Sequence, residues 1–127
     1  MKNGMAVVLV VEDNALIRFA AMDLVLDAGY EALEAESADE AIGILESRGD
    51  IDLVFTDVQM PGTMDGIKLC HYIRDRWPPV KLIVVSGMAV LEESSLPLGS
   101  KFFSKPYNDH AIAEAMARML SSDDDSP

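Results

Sequence analysis

The chain has 127 residues and a formal net charge of −12, with half of its residues apolar and a quarter charged. That length holds one domain, and the composition excludes disorder throughout. An acidic surface of this size disfavours direct binding to nucleic acid or anionic lipid. The single cysteine, Cys70, excludes an internal disulfide and a thiol-based metal site.

The first residues, 1–4, carry one lysine, and no separate apolar region with a cleavage site follows; no apolar run approaches the roughly 18 residues of a membrane span. A cytoplasmic location is the expectation. Residues 6–11 then form a short run that is apolar on both faces, as a buried parallel strand requires. A helix is expected over residues 14–28, with Asn14 as N-cap, Gly29 as stop, and Leu16, Ile17, Ala20, Leu24 and Ala28 as its buried stripe. Glu31–Ala35 reads as a weaker, peripheral strand. Ser37 to Glu40 is a capping box, followed by a stripe at Ala38, Ala41, Ile42 and Leu45.

Residues 51–56 and 80–85 are two further buried strands. Between them, Gly66, Leu69, Cys70 and Ile73 mark one helix face, and Trp77, Pro78 and Pro79 end the connection. Residues 87–100 stand where a fourth helix is due. Ser94, Ser95, Pro97 and Gly99 stop anything longer than two turns, so a short helix or irregular loop is expected, mobile and with little to bury. Lys101–Ser104 is a second peripheral strand. A last helix after Asn108 buries Ile112, Ala115, Met116, Met119 and Leu120. Residues 121–127, with Asp123, Asp124 and Asp125, read as a disordered acidic tail, leaving a domain over residues 5–120.

Strand and helix alternate, so the fold class is α/β, with a parallel sheet covered on both faces. Five strands in this length give the flavodoxin-like, doubly wound order 2-1-3-4-5, whose ligands bind beyond the carboxyl ends of the strands. Those ends carry Glu12 and Asp13, then Asp57, then Ser86, then Lys105 and Pro106. Three carboxylates on one rim need a compensating cation. Oxygen ligands without His or Cys select Mg²⁺ or a similar ion, and a lysine and a hydroxyl beside them suit a phosphoryl group.

The runs Val10-Val11-Glu12-Asp13-Asn14, Thr56-Asp57-Val58-Gln59-Met60-Pro61, Ser86-Gly87 and Lys105-Pro106, with Met64-Asp65-Gly66, resemble the receiver domain of two-component response regulators. The resemblance covers residues 5–120. It implies a phospho-accepting switch, not an enzyme in the ordinary sense, that takes a phosphoryl group from a sensor histidine kinase or histidine phosphotransfer protein and changes its binding to a downstream protein. It implies Asp57 as acceptor and Asp13 as a direct Mg²⁺ ligand, with Glu12 acting mainly through water. The Asp57 carboxylate and the Gln59 carbonyl would add ligands. Ser86 and Lys105 would bind the phosphoryl oxygens, and Phe102 would be the aromatic that changes rotamer. The Lys105–Pro106 bond is expected to be cis, against a general rate of about 5–6%.

Because the sequence stops soon after the receiver pattern, a stand-alone domain is the expectation. The pattern is departed from at residues 87–100, which are helix-poor, and at Phe102, which lacks the commoner tyrosine hydroxyl. Two other functions compete. An aspartyl-nucleophile phosphatase would place a second acid two residues after Asp57, where Gln59 stands. A degenerate receiver would bind partners without phosphorylation, but every pocket residue type is present.

Overall fold

The structure is a computed structural model and describes residues 5–60, 62, 64–87 and 95–121. The elements run β1 (Val7–Val11), α1 (Ala15–Asp27), β2 (Glu31–Ala35), α2 (Ala38–Ser47), β3 (Leu53–Asp57), α3 (Gly66–Arg76), β4 (Lys81–Ser86), β5 (Lys101–Ser104) and α4 (Asp109–Ser121). The five strands are parallel in the order β2-β1-β3-β4-β5, as the alternation predicts. Every residue of β1 and β3 is buried, because helices cover both faces of the sheet.

One apolar layer joins Leu9, Val11, Val54, Leu82 and Val84 to α2 and α3 through Ala41, Leu45, Leu69, Cys70 and Ile73. The other joins Val8, Val10, Phe55 and Ile83 to α1 and α4 through Ala21, Val25, Ile112 and Met116. The alternation of side chains along each strand deals these residues to opposite faces. Met119 and Leu120 pack at the edge of the second layer.

The expected caps form. Asn14 Oδ1 accepts from the Ile17 N–H at 3.1 Å, and Gly29 follows the helix at φ 96°. Ser37 Oγ accepts from the Glu40 N–H at 3.1 Å, while the Glu40 carboxylate takes the Glu36 N–H rather than that of the cap. Asp65 and Asn108 cap α3 and α4 in the same way.

The stripe expected on α1 is corrected. The helix buries Arg18, Ala21, Leu24 and Val25, and it leaves Leu16 at 79% and Phe19 at 55% exposure, with Ile17 and Leu26 also exposed. This helix is apolar nearly all round, so spacing alone does not choose a face. The polar anchors of Arg18 do.

The helix or loop expected over residues 87–100 falls largely on residues 88–94, outside those described. Leu96, expected on a poorly packed segment, is buried in the layer with Leu82 and Ile73, whereas Leu98 is 97% exposed. His71 on α3 pairs with the Ser95 carbonyl at 2.7 Å. α4 continues through Ser121, one residue past the boundary expected at 120, and the tail at 122–127 lies outside the described residues.

Candidate functional site

Backbone ladders bring the rim residues together. The register pairs Val11 with Thr56 and Asp57 with Val85, so Glu12 and Asp57 leave adjacent strands at one level and Ser86 follows one residue beyond it. Beyond the ladder, the Val58 N–H donates to the Val85 carbonyl at 3.0 Å, and the Lys105 N–H donates to the Ser86 carbonyl at 2.8 Å. Lys105 is thereby returned to the rim one residue after β5 ends. The Lys105–Pro106 peptide bond is cis, as expected.

Oxygens of Glu12, Asp13 and Asp57 lie within 4.8 Å of one another, with Glu12 and Asp57 buried and Asp13 exposed. Lys105 Nζ stands 3.2 Å from Asp57 Oδ2 and 3.7 Å from Glu12 Oε1. Asp57 Oδ1 is buried with no hydrogen-bond partner among the described residues. Burial pushes the Glu12 carboxyl up to about 7; the Asn14 N–H, which its Oε2 accepts at 3.0 Å, and Lys105 pull it back, while Asp57 and Asp13 push it up.

A buried carboxylate oxygen without a donor, facing two further carboxylates, fits a hard cation. Glu12, Asp13 and Asp57 would hold a divalent ion such as Mg²⁺. Gln59 lies on the exposed turn two residues past Asp57, and Ser86 is fully buried at the end of β4. Phe102 is half-buried against the layer containing Val84 and Leu96.

Three residues support the rim through contacts that the sequence does not record. Thr56 Oγ donates to the Asp57 carbonyl at 2.9 Å. Gly66, part of the helix stripe and of the Met64-Asp65-Gly66 run, lets α3 start against β3, and its N–H donates to the Val58 carbonyl at 2.8 Å. Arg18 donates from Nη1 to the Glu12 carbonyl at 3.0 Å. The signal for Arg18 was present: it is the only cation of α1.

A family model for the response regulator receiver domain matches residues 8–117. The chain belongs to that family. The receiver is 37% identical over 128 residues to the sensor kinase CckA of Brucella abortus, covering 96% of this chain and 13% of that protein. It is 32% identical over 130 residues to the response regulator FleR of Pseudomonas aeruginosa, covering 96% of this chain and 27% of that one. The chain thus spans well under a third of these curated relatives.

Among solved structures, the receiver domain of the hybrid histidine kinase CckA matches with a TM-score of 0.76 at 34% identity, covering 90% of this chain and 98% of that one. A CheY-like receiver from Methanospirillum hungatei JF-1 matches with a TM-score of 0.87 at 26% identity, covering 96% and 98%. A receiver is a signalling domain of two-component systems rather than an enzyme in the ordinary sense. Among the described residues no helix is long and apolar enough to cross a membrane.

Proposed function

We propose that this receiver accepts a phosphoryl group on Asp57 from the phosphohistidine of a sensor kinase or a histidine phosphotransfer protein. The carrying observation is the Asp57 carboxylate itself: buried at the strand rim, 3.2 Å from Lys105, and beside two more acids, with Oδ1 unpartnered among the described residues. A carboxylate oxygen attacks phosphorus. The new O–P bond forms as the N–P bond breaks, and the imidazole keeps the electron pair and then takes a proton.

Bound Mg²⁺ supplies positive charge against the acids and the phosphoryl oxygens. Glu12 and Asp13 would hold it together with Asp57 and the Gln59 carbonyl. Lys105, already aimed at Asp57, pairs with the phosphoryl group. Ser86 hydrogen-bonds that group from the neighbouring strand. The bond from the Lys105 N–H to the Ser86 carbonyl makes the two strand ends move together, and Phe102, paired with Val84 on β4, follows them inward. The product partner is a downstream protein whose affinity depends on this rearrangement.

The exposed Leu16 and Phe19 of α1 form the docking face for the phosphodonor's helices. Ile17, next to them, lines the clefts that border Asp57 and Lys105, so a histidine carried on a docked helix faces the rim. The lone cysteine, a buried free thiol, agrees with a cytoplasmic setting.

Acetyl phosphate with Mg²⁺, followed by intact mass, tests the reading. One phosphoryl group is expected on the wild type and none on Asp57→Asn. An unmodified wild type would point to a receiver that binds partners without phosphorylation, and an adduct on Asp57→Asn would move the acceptor elsewhere.

A further inference from the structure

Arg18 is a buried cation on a helix that otherwise hides small and apolar side chains. Its side chain is 9% exposed, and its fork has two fixed partners: Nε donates to Glu34 Oε1 at 2.7 Å, and Nη1 donates to the Glu12 carbonyl at 3.0 Å. A helical side chain leans toward the N-terminus of its helix, which brings this guanidinium back under the acidic turn. Glu34 is the residue on β2 opposite Val10, and the next residue, Ala35, accepts the Glu12 N–H at 3.0 Å.

The end of β2 therefore grips Glu12 twice, directly at its N–H and through Arg18 at its carbonyl. That carbonyl belongs to the peptide joining Glu12 to Asp13. Fixing this peptide fixes the directions in which both carboxylates leave the chain. The force to be resisted is their mutual repulsion, together with that of Asp57, all within 4.8 Å. The charge of Arg18 is matched by Glu34 and not by the pocket acids, so it holds the main chain without replacing the cation.

We propose that Arg18, oriented by Glu34, is a positioning residue that holds the Glu12–Asp13 turn ready for Mg²⁺ and so sets the cation affinity of the pocket. This inference rests on the pocket being the Mg²⁺ site. Removal of an outer partner that orients metal ligands lowers affinity by about 10-fold or more. Lysine at position 18 can reach one of the two acceptors but not both, because it lacks the planar fork.

The test is a Mg²⁺ titration of the full chain followed by amide NMR, with thermal unfolding measured on the cation-free protein. Arg18→Ala is expected to weaken Mg²⁺ binding about 10-fold. Glu34→Ala is expected to weaken it less, and the double variant no more than Arg18→Ala alone. In the absence of Mg²⁺, the Asp13 and Asn14 amide signals should already shift in Arg18→Lys. A merely structural ion pair would lower the unfolding temperature and leave the Mg²⁺ affinity alone. If Arg18→Ala does not fold, Glu34→Ala and Arg18→Lys carry the same comparison, since Glu34 is half-exposed. Binding lost in Asp13→Ala but unchanged in the Arg18 and Glu34 variants overturns this inference alone. A wild type without saturable Mg²⁺ binding overturns the pocket reading and this inference with it.

Discussion

Glu12 carries the electrostatic tension of the rim. Its folded-state carboxyl is raised from an ordinary value near 4.5 to about 7, chiefly by burial, with Asp57 and Asp13 adding to the rise. The folded chain therefore holds this proton more tightly than the unfolded chain does. Linkage gives the sign: stability of the cation-free protein falls as pH rises from about 4.5 through about 7, and above that range the loss is complete. The loss from this one group is on the order of 3 kcal/mol. Urea midpoints measured from pH 4 to 8 should show the decline in the cation-free wild type. Glu12→Gln should flatten it, and so should saturating Mg²⁺, which takes the place of the proton. A Glu12→Gln curve as steep as the wild type's would assign the effect to other groups.

At the scale of elements, two glycines in helices make opposite predictions. A Cβ on Gly66 would collide with the Asp57 carbonyl oxygen and lie 2.8 Å from Val58 Cα, both main-chain atoms that cannot swing aside. Gly66→Ala should therefore cost about 2 kcal/mol or more and disturb Asp57, although alanine is the better helix former. Gly43, in α2, has nothing within 4 Å of its Cβ position, so Gly43→Ala should stabilise by about 0.5–1 kcal/mol. Urea unfolding of the pair checks both signs.

α1 yields a functional prediction of the same kind. Leu16→Asp places a charge on the proposed docking face without entering the core, since Leu16 is exposed. Transfer from a phosphohistidine protein should slow at least 10-fold, while phosphorylation by acetyl phosphate stays near the wild-type rate. Equal slowing with both donors would locate the effect in the pocket instead. The face itself was not legible in the sequence. α2 and α3 alternate polar and apolar residues at helical spacing, so Ala38, Ala41, Leu45 and Leu69, Cys70, Ile73 were read correctly. In α1, apolar residues satisfy two faces, and the choice came from long-range partners, Glu34 on β2 and the Glu12 carbonyl, that no local pattern records. Strand ends were different. Buried parallel strands are short apolar runs, and the first charged residue after each marks the rim, so Glu12, Asp57 and Lys105 could be placed together from sequence alone.

For the whole molecule, the sheet makes the pocket and the core one cooperative object. Asp57 ends the central strand, with β1 and β4 paired on either side and a helix-bearing layer on each face. Cys70 lies fully buried on the sheet-facing side of α3, and burial pushes its thiol up to about 12. That thiol makes the native chain its own stopwatch. A thiol-specific reagent at neutral pH meets no thiolate until the α3 layer parts, so the labelling rate counts openings rather than reactivity. An opening that also separates β1 from β3 must release any cation held between their ends. Labelling should then slow by the factor 1 + [Mg²⁺]/Kd, and the dissociation constant read from this slowing should equal that from direct titration. A rate indifferent to Mg²⁺ would show α3 lifting away from a pocket that stays closed.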